Sequence, residues 1–94
     1  MERRRLGNGG PEISVVGVGT APIGSGRDWL YWGGQDEGAA VAAIHAALDA
    51  GANWIDTAPF YGWGRAEEIV GRAVADRRER VLLFTKCGTL PAPN

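Results

Sequence analysis

The chain has 94 residues, a formal net charge of −1, 45% hydrophobic residues and a single cysteine, Cys87. That balance gives no field to draw in nucleic acid or an anionic lipid surface, and its apolar content argues against disorder. One cysteine cannot close an intrachain disulfide, which fits a reducing compartment. The segment after Met1 lacks a secretory leader's apolar stretch, and no run approaches the roughly 18 apolar residues of a membrane span. The expectation is a cytoplasmic protein with neither membrane nor nucleic-acid partners. Arg3, Arg4 and Arg5 beside Glu2, and Arg77, Arg78 and Arg80 among Asp76 and Glu79, read as solvated surface and helix-end charge.

In chain order, residues 3–16 hold two short extended stretches around Asn8-Gly9-Gly10-Pro11, a strong turn signal, and predict an N-terminal β-hairpin. Val15-Val16-Gly17-Val18-Gly19-Thr20 predicts a buried parallel strand, because it is short, apolar and β-branched. A glycine-rich loop follows from Ala21 to about Gln35 and carries Trp29, Tyr31 and Trp32. Asp36 suits a helix N-cap, and Val41, Ile44 and Leu48 recur at helical spacing up to Ala50, with Gly51 where a C′ glycine belongs. Asn53 to Thr57 predicts a second strand. Glu67 and Glu68 fit the first turn of a second helix, whose apolar stripe is Ile69, Val70, Ala73 and Val74. Arg80 to Lys86 predicts a third strand, and the tail from Gly88 is loop.

Strand, helix, strand, helix, strand implies a parallel sheet with right-handed crossovers, hence an α/β fold. A parallel barrel with outer helices needs about 250 residues, so if the sheet is part of such a barrel, residues 1–94 are expected to be the N-terminal part of a single, incomplete barrel domain. The second and third strands are expected to be neighbours, with their C-terminal ends on one side. Side chains alternate along a strand, so Trp54 and Asp56 share a face, as do Leu82, Phe84 and Lys86. If those faces point inward, Asp56 and Lys86 meet at the barrel mouth, where pairing is cheaper than a lone buried carboxylate. Tyr61, five residues past Asp56, can bend back over that mouth. A phenol beside a cation donates a proton more readily, because positive charge favours phenolate; this suits a reaction that turns a carbonyl into an alkoxide. The bland alternative is a strand-end salt bridge with a loop tyrosine packed for area.

The segments Gly17-Val18-Gly19-Thr20, Asp49-Ala50-Gly51-Ala52-Asn53-Trp54-Ile55-Asp56-Thr57-Ala58, Tyr61-Gly62-Trp63-Gly64-Arg65-Ala66-Glu67-Glu68, Val70-Gly71-Arg72-Ala73 and Phe84-Thr85-Lys86 occur in one order and spacing. Taken together the chain resembles the aldo-keto reductase family from Leu6-Gly7 to about Gly88. The resemblance implies the N-terminal fragment of a (β/α)8 TIM barrel with an N-terminal β-hairpin at its bottom. It implies metal-free, NADPH-dependent reduction of aldehydes or ketones to alcohols, or the reverse. Hydride would come from the nicotinamide and the proton from Tyr61. Lys86 matches the lysine that lowers the tyrosine's pKa, and Asp56 matches that lysine's carboxylate partner. Gly19 and Thr20, with Asp56, match positions near the nicotinamide ribose. The expected partners are NADPH or NADP+ and a small carbonyl or alcohol.

Two features of the family lie beyond these residues: a catalytic histidine after the fourth strand and the loops that hold the cofactor phosphates. His45, mid-helix, reads as a surface or helix-packing residue. The chain alone is therefore expected to be inactive. Two other readings stay open, a non-catalytic cofactor-binding or regulatory subunit of the same fold, and an inactive truncated remnant. A dinucleotide fingerprint at Gly17-Val18-Gly19 fits poorly, since Pro22 stands at the third glycine's place and no helix opens there. Trp29, Tyr31 and Trp32 either wall an apolar substrate pocket or pin a long loop; Trp63 and Phe60 flank Tyr61 and are further candidates for that pocket. Cys87 is expected to be a small buried apolar residue rather than a reactive thiol.

Overall fold

The structure, a computed structural model, describes residues 1–23 and 36–90. Strands β1 (Arg3–Arg5) and β2 (Glu12–Ser14) pair antiparallel, with Arg3 opposite Ser14 and Arg5 opposite Glu12. The turn between them closes through the Leu6 amide donating to the Pro11 carbonyl at 2.9 Å, and Gly7 supplies the left-handed backbone at φ 67°. A side chain there would cost stability, so glycine is suited to it.

The second sheet is parallel, with β3 (Val18–Gly19), β4 (Trp54–Asp56) and β5 (Leu82–Phe84) side by side in that order. Helix α1 (Glu37–Asp49) connects β3 to β4, and α2 (Arg65–Val74) connects β4 to β5. Asp36 caps α1 as expected, its carboxylate accepting from the Gly38 amide at 2.9 Å, and Gly51 leaves the helix at φ 111°.

Alternation sets the core. Val18, Ile55 and Leu83 lie in register across the sheet, and all three meet the cluster of Ile44, Val70, Ala73, Val74 and Val81 beneath the helices. Ile44 and Ile55 are fully buried, each contributing about 1.5–3 kcal/mol by removal from water. His45 reaches across from α1, its Nε2–H donating to the Ala73 carbonyl at 2.7 Å, so it is a helix-packing residue.

All three predicted parallel strands prove shorter, β4 by one residue at each end. Val15 and Val16 are 46% and 59% exposed, not buried. The Val15 amide bonds Glu2 and the Ser14 hydroxyl bonds the Val16 carbonyl, so these residues finish the hairpin before the parallel strand starts. At the other end Arg78–Arg80 forms a 3-10 turn, so β5 begins at Leu82.

Asn53 fastens the hairpin beneath the sheet. Its Oδ1 accepts from the Ser14 amide at 2.8 Å, its own amide donates to Ser14 Oγ at 3.0 Å, and its Nδ2 donates to the Glu12 carbonyl at 3.0 Å. Trp54 Nε1 adds a bond to the Ser14 carbonyl at 2.8 Å. The indole ring lies against Gly17, where a Cβ would come within 2.1 Å of it. The N-terminal ends of the strands are thereby closed, and the chemistry-bearing residues lie at the other end.

Candidate active site

Asp56 ends β4 with its side chain on the Trp54 and Phe84 side of the sheet, the side away from the helices. The backbone beneath it is well fixed. The Asp56 carbonyl accepts from both the amide and the hydroxyl of Thr20, at 3.2 and 3.1 Å, and the Thr57 amide donates to the Phe84 carbonyl at 2.8 Å. Thr20 is fully buried, so its hydroxyl supports Asp56 from within the fold; Gly19, opposite Asp56 in the register, is exposed, and among the described residues nothing lies within 4 Å of where its Cβ would be.

Lys86 lies two residues past β5 and retains the parity of Leu82 and Phe84. Its Nζ donates to Asp56 Oδ1 at 3.1 Å, to the Thr57 carbonyl at 2.8 Å and to the Tyr61 hydroxyl at 3.4 Å. An ammonium has three donors, and these contacts use all of them. Partial burial pushes the Lys86 amine down, but hydrogen bonds and charge from Asp56 and Tyr61 outweigh it and raise its pKa above the ordinary lysine value. Both side chains of the ion pair are about two-fifths exposed, at 38% and 42%, so the pair adds little to stability and serves mainly to place the charge.

Tyr61 arrives on a loop with an unusual backbone. Gly62, Trp63 and Gly64 all have positive φ, at 64°, 49° and 104°. Two glycines make this reversal inexpensive, whereas Trp63 carries a conformation that costs a non-glycine residue about 1–2 kcal/mol. The reversal delivers the chain into α2, whose first turn bonds back to Tyr61 through the Ala66 amide at 3.2 Å. Phe60 packs edge-on against Tyr61 with ring centres 5.0 Å apart, and Trp63 lies tilted against Phe60 at 6.5 Å. Because Lys86 can only donate, the Tyr61 oxygen accepts from it and keeps its own proton for another acceptor.

Asp56, Tyr61 and Lys86 are thus brought together at one rim, with Gly19 alongside. Trp63 stands at that loop, 40% exposed. Trp29, Tyr31 and Trp32 lie outside the described residues. Cys87 is exposed, contrary to the buried position expected of it, because the strand ends at Phe84 and parity no longer turns it into the core. Two contacts had no counterpart in the motif reading: the Thr57 carbonyl as an acceptor for Lys86, and a hydrogen bond from Thr85 Oγ1 to Glu67 Oε2 at 2.7 Å. Among the described residues no group of three His, Cys, Asp or Glu side chains is placed to hold a metal, and no helix is long and apolar enough to cross a membrane.

A hairpin-bottomed parallel βαβαβ unit with an ammonium, a carboxylate and a phenol at its strand ends has the layout of one segment of a parallel α/β barrel, with its polar groups at the end where such barrels carry their sites. The chain belongs to the aldo/keto reductase family, whose profile matches residues 15–94. It is 46% identical over 88 residues to the aldo-keto reductase YhdN of Bacillus subtilis, covering 92% of this chain and 25% of that protein. Among solved structures, the aldo-keto reductase of Bacillus halodurans in its holo form matches with a TM-score of 0.78 at 33% identity, over 94% of this chain and 26% of that one. An aldo-keto reductase from Klebsiella pneumoniae in complex with NADPH matches with a TM-score of 0.72 at 33% identity, over 93% of this chain and 28% of that one. The chain spans about a quarter of the length of the relatives it matches, and its fold is that of the N-terminal part of their (β/α)8 barrel.

Proposed function

We propose that this chain forms the N-terminal part of a nicotinamide-dependent oxidoreductase that reduces aldehydes or ketones to alcohols, or runs the reverse reaction. The observation that carries this reading is the Lys86 ammonium, shared between Asp56 Oδ1 at 3.1 Å and the Tyr61 hydroxyl at 3.4 Å. Tyr61 is the proton donor in this scheme. As its proton leaves toward the substrate oxygen, negative charge grows on the phenol, and the adjacent ammonium offsets it. Asp56 and the Thr57 carbonyl hold that ammonium in place. In the oxidation direction the same oxygen accepts the alcohol proton, by microscopic reversibility.

The described residues fit one end of the cofactor. Gly19 leaves open space at the rim beside Asp56, which suits the close approach of a flat ring and its ribose. A nicotinamide bound there supplies or accepts hydride. NADPH is the favoured form, supported by the relative solved with that cofactor. We assign the grip on the cofactor phosphates to later parts of the barrel, and by itself this chain is inactive. Trp63, with Phe60, contributes an aromatic wall for the organic part of the substrate. The residues 1–94 form part of one barrel domain rather than a separate unit.

The test is a coupled assay on the complete barrel enzyme, following NADPH absorbance with a panel of small aldehydes and ketones. Substrate-dependent oxidation of the cofactor supports the reading. Tight cofactor binding with no turnover across the panel contradicts it.

A further inference from the structure

Lys86 is the most constrained side chain of the site, yet the backbone that carries it is not. Residues 85–90 follow the end of β5, and among the described residues no hydrogen bond joins their backbone to other backbone. Among the described residues, the side-chain tie on the residue before Lys86 is the Thr85 hydroxyl, which donates to Glu67 Oε2 at 2.7 Å. The bond is short and runs from a hydroxyl to a carboxylate at an exposed place on the rim, so its role is to orient the segment rather than to stabilise the fold. Glu67 lies in the first turn of α2, the same turn whose Ala66 amide holds the Tyr61 carbonyl at 3.2 Å. One short bond therefore joins the segment that carries Tyr61 to the segment that carries Lys86.

We infer that Glu67 is a positioning residue: through Thr85 it sets the Tyr61–Lys86 spacing on which proton donation depends. The 3.4 Å separation of those two groups is already at the long end for a hydrogen bond. A small outward drift of residues 85–86 would remove the ammonium from the phenol, and misplacement of about 1 Å costs on the order of 100-fold in rate. Glu67 also faces the α2 N-terminus favourably, but that role needs only a negative charge, whereas the positioning role needs an acceptor at Thr85. This inference rests on the functional reading above.

The experiment measures kcat, KM and cofactor affinity in the complete barrel enzyme for Glu67→Ala, Glu67→Gln, Thr85→Val, Thr85→Ser, the Glu67→Ala/Thr85→Val double variant and Tyr61→Phe, with thermal unfolding of each. The expected result is a fall in kcat of about 10- to 100-fold in Glu67→Ala and in Thr85→Val, with cofactor affinity unchanged. Thr85→Ser and Glu67→Gln, which keep donor and acceptor, recover most of that rate, and the double variant is no slower than either single one. Wild-type kcat in Glu67→Ala and Thr85→Val, or additive losses in the double variant, would overturn the inference while Tyr61→Phe still loses turnover. Retention of turnover in Tyr61→Phe would instead sink the functional reading, and the inference with it.

Discussion

Tyr61 and Lys86, 25 residues apart in the chain, meet oxygen to nitrogen at 3.4 Å. Neither element geometry nor burial alone requires that meeting. It depends on the left-handed run at Gly62–Gly64, which turns the tyrosine loop back, and on the parity that points Lys86 to the same face as Asp56.

The same contacts predict how Lys86 titrates. Burial lowers its pKa, but Asp56 and Tyr61 raise it further, so the folded value lies above the ordinary 10.5. A raised pKa means that the interaction is fully present below the unfolded value and is lost as pH climbs through the folded one. The pair is thus intact throughout the neutral range. Lys86 is the sole lysine among the 94 residues, so the pH dependence of one 13Cε resonance reports on it. A midpoint above 10.5 is expected; a lower one would show that burial outweighs the pair.

Asp56 and Lys86 are predicted to differ in importance. With Asp56→Asn the ammonium keeps the Thr57 carbonyl at 2.8 Å and remains near Tyr61, whereas Lys86→Met removes the charge itself. In the complete enzyme, Lys86→Met should lower kcat by about 10²–10³-fold, the scale of losing one electrostatic stabiliser. Asp56→Asn should cost less, because the ammonium it holds stays charged and in place. Steady-state kinetics on both variants checks the order, and an Asp56→Asn loss exceeding that of Lys86→Met would contradict it.

Gly17→Ala is predicted to destabilise the fold. A Cβ there would lie 2.1 Å from the Trp54 ring, which its Nε1 bond to Ser14 holds in place. Overpacking of this kind costs about 1–3 kcal/mol. Urea denaturation should show that loss; an unchanged midpoint would mean that the indole moves aside freely.

The 94-residue chain alone should neither bind NADPH tightly nor reduce an aldehyde. Its described residues offer the ring-side rim near Gly19 and Asp56 and span about a quarter of the relatives. Fluorescence titration of the purified chain should give no saturation at micromolar cofactor, and saturable binding there would refute the assignment.

Much of this geometry was legible because it follows local rules. Asp36 and Gly51 mark the ends of α1 through capping chemistry, and the alternation of Trp54, Ile55 and Asp56 separates the core row from the site row. The pairing of Asp56 with Lys86 was readable for the same reason, since parity survives two residues past the strand. Val15 and Val16 misled because β-branched residues suit a hairpin exit as well as a buried strand, and only the Ser14 and Glu2 bonds distinguish them. Cys87 misled because a strand was extended past its end. The Glu67–Thr85 bond and the Gly17–Trp54 contact have no periodic signature; they arise from side-chain reach across separate elements.

The most direct measurement is turnover and cofactor binding by Tyr61→Phe in the complete barrel enzyme. The proposed role predicts a loss of about 10²–10⁴-fold in kcat, the usual worth of a positioned general acid, with cofactor affinity unchanged because the hydroxyl alone is removed. Turnover equal to the parent enzyme's, with the cofactor equally well bound, would contradict it.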